Sequence, residues 1–247
     1  MYKIVKAECL ADKIYLMDVE APRVARACQP GEFVIVKMDE AGERIPLTIC
    51  DFDREKGLVT IVFQTVGAST ERMAGFKAGD YFQDFVGPLG QPSEFVKEDL
   101  EEVKKRRYLF VAGGVGSAPV ISGLQVLYRH VKWMKEHGID VDVIEGSKTK
   151  DLLILEDELK AVAGNLYITT DDGSYERKGM VTEVIKDLVE NEGKKYDVCV
   201  AIGPMIMMKF VCRLTKELGI PTIVSLNPIM VDGTGMCGAC RVSVGGE

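Results

Sequence analysis

The chain has 247 residues and a formal net charge of -7, with 47% hydrophobic and 28% charged residues. This balance is typical of a folded protein with one large or two ordinary domains, and it excludes a disordered chain. The acidic surplus argues against a nucleic acid partner, because no basic face is offered to phosphate groups.

The sequence also predicts a protein that stays inside the cell. No apolar run approaches the roughly 20 residues of a membrane span, and no signal peptide precedes the first strand-like residues, so we expect a cytoplasmic location. The seven cysteines are an odd number with irregular spacing, which favours a reduced protein over a disulfide framework. Among them, Cys237 and Cys240 alone are closely spaced.

The first part of the chain, up to about residue 98, has a β-rich pattern. Short apolar segments at 2–5, 14–16, 33–36, 47–49 and 58–63 are separated by Gly, Pro and Asp turns. This spacing predicts a small antiparallel barrel, with one short helix after Gly67 where Ser69 and Thr70 are good cap residues. The charged run at 97–107 that follows predicts a solvated connecting segment.

From Tyr108 onward the pattern alternates between strands and helices. Strands are expected at 108–112, 140–144, 166–169, 196–201 and 222–225, with helices ending at His137, around 181–188 and at 205–218. Such alternation predicts a doubly wound parallel sheet. We therefore expect an antiparallel barrel at 1–100, an α/β domain at 101–226 and an irregular Gly- and Cys-rich segment at 227–247.

A glycine-rich loop joins the first of these parallel strands to a long helix. Backbone N–H groups in such a loop can bind a pyrophosphate. The dinucleotide fingerprint is incomplete, because a proline that suits the first turn of a helix replaces its third glycine, and a tight structural turn remains an alternative. The candidate residues are Gly113, Gly114, Val115, Gly116 and Pro119.

Three further loops follow strands, where ligands bind in sheets of this type. Glu145 can accept a hydrogen bond from a ribose hydroxyl, although Lys148 and Lys150 can instead attract a phosphate. Each loop can equally be a turn and a helix start. The candidate residues are Glu145, Gly146, Ser147, Asp171, Asp172, Gly203, Pro204 and Met205.

The barrel region contains a strand segment with an arginine and a hydroxyl residue, and a turn segment rich in hydroxyl residues. By composition alone, an arginine near a hydroxyl is more often a surface strand pair than a phosphate site. The candidate residues are Arg44, Pro46, Leu47 and Thr48 on a strand, and Gln64, Val66, Gly67, Ser69 and Thr70 at a turn.

The order of these motifs resembles the ferredoxin reductase superfamily of flavoproteins over nearly the whole chain. An R-x-P-x-T strand, a G-x-S-T turn, G-x-G-x-x-P, D-D-G-S and G-P-x-x-M follow one another. The resemblance implies that the barrel residues bind FAD and that the later loops bind a nicotinamide nucleotide, with NAD(H) favoured over NADP. It also implies hydride exchange between the two, for which we expect no side-chain acid or base.

The segment 232–240 has the spacing of a metal-binding loop. If Asp232 is counted with Cys237 and Cys240, the spacing is that of a plant-type [2Fe-2S] loop whose first cysteine is replaced. Alternatives are a zinc site that also uses His130 and His137, a thioredoxin-like pair and an inert loop. Because no cysteine follows Cys240, we expect this 247-residue form to be truncated, to bind FAD normally and to hold its cluster poorly.

The segment from Ser225 to Cys240 is similar to that of small subunits of NADH-dependent reduced ferredoxin:NADP+ oxidoreductases, also described as sulfide dehydrogenases. That resemblance implies a heterodimer with a large subunit that holds FAD and [4Fe-4S] clusters, with ferredoxin as an indirect partner. A dihydroorotate dehydrogenase electron-transfer subunit is the second possibility. A non-catalytic zinc or nucleotide-binding regulatory module is the alternative from another class.

Overall fold

The computed structural model describes residues 1–113, 122–226, 230, 231, 233, 235–243 and 246, without the side chains of 122–125. These residues form two sheets, one antiparallel and one parallel, each with its own hydrophobic core. Within the described ranges, no helix is both long enough and apolar enough to cross a membrane.

The first sheet is an antiparallel, near-closed barrel, as the spacing of the short strands predicts. Its strand order is β6-β1-β2-β5-β4-β3-β7, where the strands are β1 (Tyr2–Ala11), β2 (Ile14–Glu20), β3 (Phe33–Lys37), β4 (Ile45–Asp53), β5 (Leu58–Gln64), β6 (Tyr81–Phe82) and β7 (Asp84–Leu89). Alternate apolar side chains point inward and are fully buried, among them Ile4, Met17 and Ile61.

Two short helices pack against the barrel core, α1 (Pro22–Ala27) and α2 (Ala68–Ala74). Two more, α3 (Glu94–Lys97) and α4 (Leu100–Lys104), follow the barrel and pack in the core of the parallel sheet. Helix α2 inserts Met73 into the barrel core with no exposed surface, so the predicted helix after Gly67 is confirmed and closes one end of the barrel.

The second sheet is parallel and doubly wound, also as predicted. Its order is β11-β10-β9-β8-β12-β13, where the strands are β8 (Tyr108–Gly113), β9 (Asp142–Ser147), β10 (Asn165–Thr170), β11 (Arg177–Lys178), β12 (Val198–Ile202) and β13 (Thr222–Ser225). From β8 the chain adds β9, β10 and β11 on one side of this strand, and it then returns to add β12 and β13 on the other side. Ligands bind at such a switch point, outside the carboxyl ends of the strands.

Helices pack on both faces of the parallel sheet. They are α5 (Ser122–Glu136), α6 (Glu156–Val162), α7 (Val181–Lys186) and α8 (Met205–Glu217). Phe110 of β8 packs in the core under α5, while Leu109 and Val111 pack with α7 and α8. Because both faces are covered, the central strands β8 and β12 are apolar along their length and do not alternate. Helix α5 also lies against β4 of the barrel.

Two sequence predictions need correction. The charged run at 97–107 is more than a connecting segment: it contains α4, whose first amides are capped by the Asp99 carboxylate, and Val103 is fully buried in the core under α5. The strand expected at 140–144 lies at Asp142–Ser147, which moves Glu145 from the strand end into its interior.

Candidate nucleotide and flavin site

The carboxyl edge of the parallel sheet carries a cavity of about 370 Å³. It lies where β8, β9, β10 and β12 end, at the position that the strand alternation predicts. The lining residues are Gly113, Gly146, Ser147, Lys148, Thr169, Asp171, Met180, Val181, Thr182, Pro204, Ile206, Met207 and Phe210.

Close backbone packing shapes the floor of this cavity. A Cβ on Gly203 would lie 2.7 Å from the carbonyl oxygen of Gly113, and a Cβ on Gly113 would lie 2.1 Å from the sulfur of Met207. The end of β12 can therefore approach the backbone of β8 this closely because position 203 is glycine, while Gly113 leaves room for the Met207 side chain. Residues 114–121 follow Gly113 directly, so the candidates Gly114, Val115, Gly116 and Pro119 lie outside the described residues.

Two turns at the far side of the cavity are tied together by hydrogen bonds. The amide of Asp171 donates to the carbonyl oxygen of Ser147 at 2.9 Å, and the amide of Lys150 donates to Ser174 Oγ at 2.8 Å. Asp172 accepts from the Ser174 amide at 2.9 Å, and the Ser174 side chain together with this amide lowers the pKa of the Asp172 carboxyl group. Asp172 therefore shapes the turn, whereas Asp171 is exposed and lines the cavity.

Glu145 does not reach this cavity. Its side chain is 1% exposed, and its Oε2 has no hydrogen-bond partner among the described residues. Burial raises its pKa to about 8, and the nearby Glu156 carboxylate adds to the shift. In this structure Glu145 is therefore not available to a ribose hydroxyl, because residues beyond it extend the strand and bury the position.

Sequence reasoning missed the apolar side of the cavity. Ile206 and Phe210 line it and are 60% and 50% exposed, whereas the predicted Met205 does not line it. Met180 contributes a further exposed apolar side chain. A partial signal was present, because α8 begins directly after β12, and ligands bind outside the carboxyl ends of the strands in sheets of this type.

The candidate flavin residues of the barrel share its outer face. Phe33 pairs with Thr48 and Ile35 with Pro46, and antiparallel partners point to the same side of a sheet. Pro46 and Thr48 are partly exposed, whereas Leu47 points inward and packs against the barrel core. Of the predicted strand residues, Leu47 is therefore the one whose side chain faces away from this surface.

The turn before α2 is organised by Thr70. Its Oγ1 accepts from the amides of Val66 and Gly67 at 2.9 and 3.2 Å and donates to the Gly67 carbonyl oxygen at 2.9 Å. Thr70 therefore fixes the shape of the turn. Ser69 Oγ donates to the Glu43 carboxylate.

Around this turn, the remaining candidates differ in exposure. Arg44 is exposed, and Gln64 is partly exposed at the end of β5. Val66 is 59% exposed, an unusual setting for a branched apolar residue unless another surface covers it.

The C-terminal segment lies on the same outer face of the barrel. A Cβ on Gly233 would lie 2.3 Å from the Ile35 side chain, and Gly233 has a φ of +72° that disfavours other residues. Cys237 is exposed, Cys240 is partly exposed, and a turn contains the two residues between them. Asp232 lies outside the described residues.

The other described cysteines are poor alternatives as metal ligands. Burial raises the pKa of Cys28 and of Cys199 to about 12 and raises that of Cys50 as well, so their thiolates are disfavoured. Within the described ranges, no three His, Cys, Asp or Glu side chains are grouped as a metal site.

The histidines of the zinc alternative are engaged elsewhere. His130 is buried with Nε2 2.5 Å from Ser93 Oγ, and burial lowers its pKa to about 3. His137 Nδ1 lies 2.7 Å from the Trp133 carbonyl oxygen. Neither is brought together with Cys237 and Cys240, so the described residues do not form the zinc site considered from the sequence.

Comparison with known proteins identifies the relatives of the chain. Residues 110–213 match the oxidoreductase NAD-binding domain family. The chain is 66% identical to an uncharacterized protein in the adh 3' region of Clostridium beijerinckii, covering 100% of this chain and 81% of that protein. It is 44% identical to a dihydroorotate dehydrogenase B (NAD(+)) electron transfer subunit homolog of Thermotoga maritima, over 99% of this chain and 81% of the homolog.

A solved structure of the NADH-dependent reduced ferredoxin-NADP oxidoreductase, described in connection with flavin-based electron bifurcation, has the same fold. The TM-score is 0.86 and the sequence identity is 41%, over 100% of this chain and 83% of that chain. The similarity spans both sheets and the C-terminal segment.

We predict that Glu145→Gln removes a pH dependence of stability. The folded protein binds this proton more tightly than the unfolded chain, so the stabilising effect is full below the ordinary pKa near 4.5 and is lost as pH rises toward about 8. The wild-type free energy of unfolding should fall in this window by at most about 1.4 kcal/mol per pH unit from this group.

Urea unfolding at about pH 5 and about pH 9 measures this effect. Glu145→Gln should gain stability relative to the wild type as pH rises, while the control Glu158→Gln, at an exposed position on α6, should not. Parallel pH profiles for the wild type and Glu145→Gln would show that the buried carboxyl group does not titrate in this range.

Proposed function

Because the chain belongs to the family of dihydroorotate dehydrogenase B electron transfer subunits and their homologues, we propose that it is an electron-transfer subunit with FAD, NAD(H) and [2Fe-2S] sites. One observation carries this proposal. The segment after β13 runs from the nucleotide edge to the outer face of the barrel, where Gly233 lies against Ile35. Eight residue steps separate Ser225 from Gly233, so the two surfaces are at most about 27 Å apart along the chain.

The barrel surface fits a flavin. Pro46 and Thr48 offer a partly exposed apolar and hydroxyl surface opposite Phe33 and Ile35, and Arg44 is exposed at the same end of β4. In this proposal, Thr48 bonds the flavin and Arg44 pairs with its phosphates. The backbone of the turn that Thr70 holds completes the binding surface.

The edge of the parallel sheet fits a dinucleotide. Gly113 and Gly203 carry no side chain that would keep a ligand away from the backbone. Ile206 and Phe210 offer an apolar surface to a flat ring. Asp171 supplies an exposed carboxylate beside Lys148. In this proposal, Asp171 takes the part that the sequence suggested for Glu145, accepting from the ribose hydroxyl and repelling a 2′-phosphate.

The cysteine turn fits part of a cluster site. Cys237 and Cys240 provide two accessible sulfurs three positions apart, and Asp232 remains the third candidate. Four ligands are required, and the buried cysteines cannot supply the fourth for the reason given above. When bound, FAD would take a hydride from NADH and release single electrons toward the cluster.

We propose the same division of the chain as the sequence analysis, with a flavin domain at 1–100, a nucleotide domain at 101–226 and a cluster segment at 227–247. Likeness over the whole chain to the NADH-dependent reduced ferredoxin-NADP oxidoreductase supports a bifurcating complex, in which the partner is a large subunit with FAD and [4Fe-4S] clusters. Ferredoxin is then an indirect partner. The alternative, a dihydroorotate dehydrogenase subunit, is distinguished by the large subunit that co-purifies.

Thr48→Ala tests the flavin surface. We expect loss of one neutral hydrogen bond to weaken FAD binding by about 0.5–1.5 kcal/mol, or roughly 2- to 12-fold in Kd. Fluorescence titration of the flavin-stripped chain with FAD measures it. Thr60→Ala is the matched control, because its hydroxyl donates to Asp18 at 2.6 Å away from this face. Equal FAD affinity in the wild type and Thr48→Ala would remove Thr48 from the site.

Asp171→Asn tests the nucleotide preference. We expect NADH to reduce the bound flavin faster than NADPH. In Asp171→Asn the ratio of the two rates should fall about fivefold, which corresponds to roughly 1 kcal/mol for an exposed charge. Stopped-flow reduction with each nucleotide measures it. Asp172→Asn, at the neighbouring turn-forming position, should keep the preference. A wild type that prefers NADPH, or an unchanged ratio in Asp171→Asn, would refute the assignment.

Substitution of the two cysteines tests the cluster turn. After anaerobic incubation with iron and sulfide, we expect the chain to bind iron and sulfide through Cys237 and Cys240. Cys237→Ser and Cys240→Ser should abolish that iron while FAD is retained. Cys9→Ser, at an exposed cysteine on β1, should not. Iron binding that survives both substitutions would exclude these ligands.

A further inference from the structure

Strand β4 physically connects the two candidate cofactor surfaces. One end carries Pro46 and Thr48 on the flavin face, and the other end carries Asp51 and Phe52 against helix α5. Helix α5 in turn packs on Phe110 of β8, and the carboxyl end of β8 at Gly113 lines the nucleotide cavity. A displacement of α5 relative to β4 therefore changes the position of this edge of the parallel sheet relative to the flavin face.

A buried guanidinium forms the contact between β4 and α5. Arg129 of α5 is 2% exposed and donates from Nη1 to Asp51 Oδ1 at 3.1 Å. Its carbon Cζ lies 4.2 Å from the centre of the Phe52 ring. Lys132, one turn further along α5, also pairs with Asp51. Two cations of one helix thus bind one carboxylate of the flavin strand.

The orientation of Arg129 is fixed from its own helix. Its Nη1 and Nη2 donate to the two carboxylate oxygens of Glu136 at 3.2 and 2.7 Å, a bidentate geometry that fixes the plane of the guanidinium. A second contact lies beside it, where His130 meets Ser93 in the segment between the two sheets. The contact between β4 and α5 therefore combines opposite charges with a fixed orientation of the guanidinium.

Stability alone does not explain this arrangement. Burying an ion pair costs about as much as the pair returns, and an apolar replacement is often more stable. Arg129 Nε, moreover, has no acceptor among the residues that the structure describes. Such a pair does fix the geometry of the two elements that it joins. A fixed geometry matters for hydride transfer, because the reacting atoms must lie within roughly 3.5 Å of each other.

We propose that Asp51 and Arg129 are positioning residues that set the nicotinamide site against the flavin for hydride transfer. The inference rests on the proposed function. It assigns no contact with substrate to either residue. It predicts that weakening the pair slows the hydride step at saturating NADH, while FAD and NADH still bind.

Asp51→Ala in the full chain is the test, with Asp53→Ala as the matched control. Asp53 lies on the same strand, but its carboxylate accepts from the amides of Glu55 and Lys56 and pairs with Lys56 Nζ at 3.2 Å, all within its own turn. For each protein, FAD content, the Kd for NADH, the limiting rate of flavin reduction and the isotope effect with 4-deuterated NADH are measured well below the Tm.

We expect Asp51→Ala to lower the limiting rate about 10- to 100-fold, to raise the isotope effect and to leave the Kd for NADH within about twofold. Asp53→Ala should match the wild type. Hydrogen exchange of the nucleotide-free protein gives a readout independent of turnover, in which the amides of residues 126–136 should exchange faster in Asp51→Ala.

Two milder variants cover the case in which Asp51→Ala does not fold. Arg129→Lys keeps the charge without the bidentate geometry, and Lys132→Met removes the second cation; both should slow the hydride step in the same way. Folded variants with a lower Tm but an unchanged limiting rate and isotope effect would overturn the inference. A wild type that binds no FAD, or whose flavin NADH does not reduce, would instead overturn the proposed function.

Discussion

A buried guanidinium lies between two cores that share no strand. The relative position of the two halves depends on the contacts of α5 with β4 and the neighbouring segment, and on a small apolar cluster in which Ile154 and Leu155 pack against the barrel strands β2, β4 and β5. Removing Arg129 from water costs several kcal/mol, which Asp51, Glu136 and the Phe52 ring offset. Because those partners come from both halves, the charge is satisfied only when the halves are correctly placed.

The outline of both halves follows from residue periodicity. The short apolar segments separated by turns predicted the barrel, and alternation with helices predicted the parallel sheet, because these two periods report which faces are covered. The location of the candidate site at the carboxyl edge could also be predicted, because all strands of a parallel sheet end on the same side. Gly113 and Gly203 could be identified as close-approach positions, although their direct contact with each other depends on the order β8-β12 and is not visible in the sequence.

The direction in which individual side chains point was harder to predict from the sequence. Glu145 follows two apolar residues and seemed to close its strand, but the strand continues to Ser147 and the carboxyl group is buried. Central parallel strands are apolar on both sides, so they lack the alternation that would show which way a polar residue points. The first turns of α8 are apolar on more than one face, so the sequence also did not show that Ile206 and Phe210 line the cavity.

The outer face of the barrel brings together residues that are far apart in the sequence. Ile35 is 1% exposed although it points away from the barrel core, and the segment that contains Gly233 is what covers it. Ile35 of β3 pairs with Pro46 of β4, the candidate flavin strand. The segment that leads to the cysteine turn therefore packs on the strand next to β4. A side chain at position 233 would push that segment outward, so the requirement for glycine comes from the barrel surface as well as from its positive φ. Sequence spacing can suggest which residues are candidate cluster ligands, whereas the position of the segment that leads to Cys237 relative to the candidate flavin strand depends on how closely the backbone at Gly233 packs on Ile35.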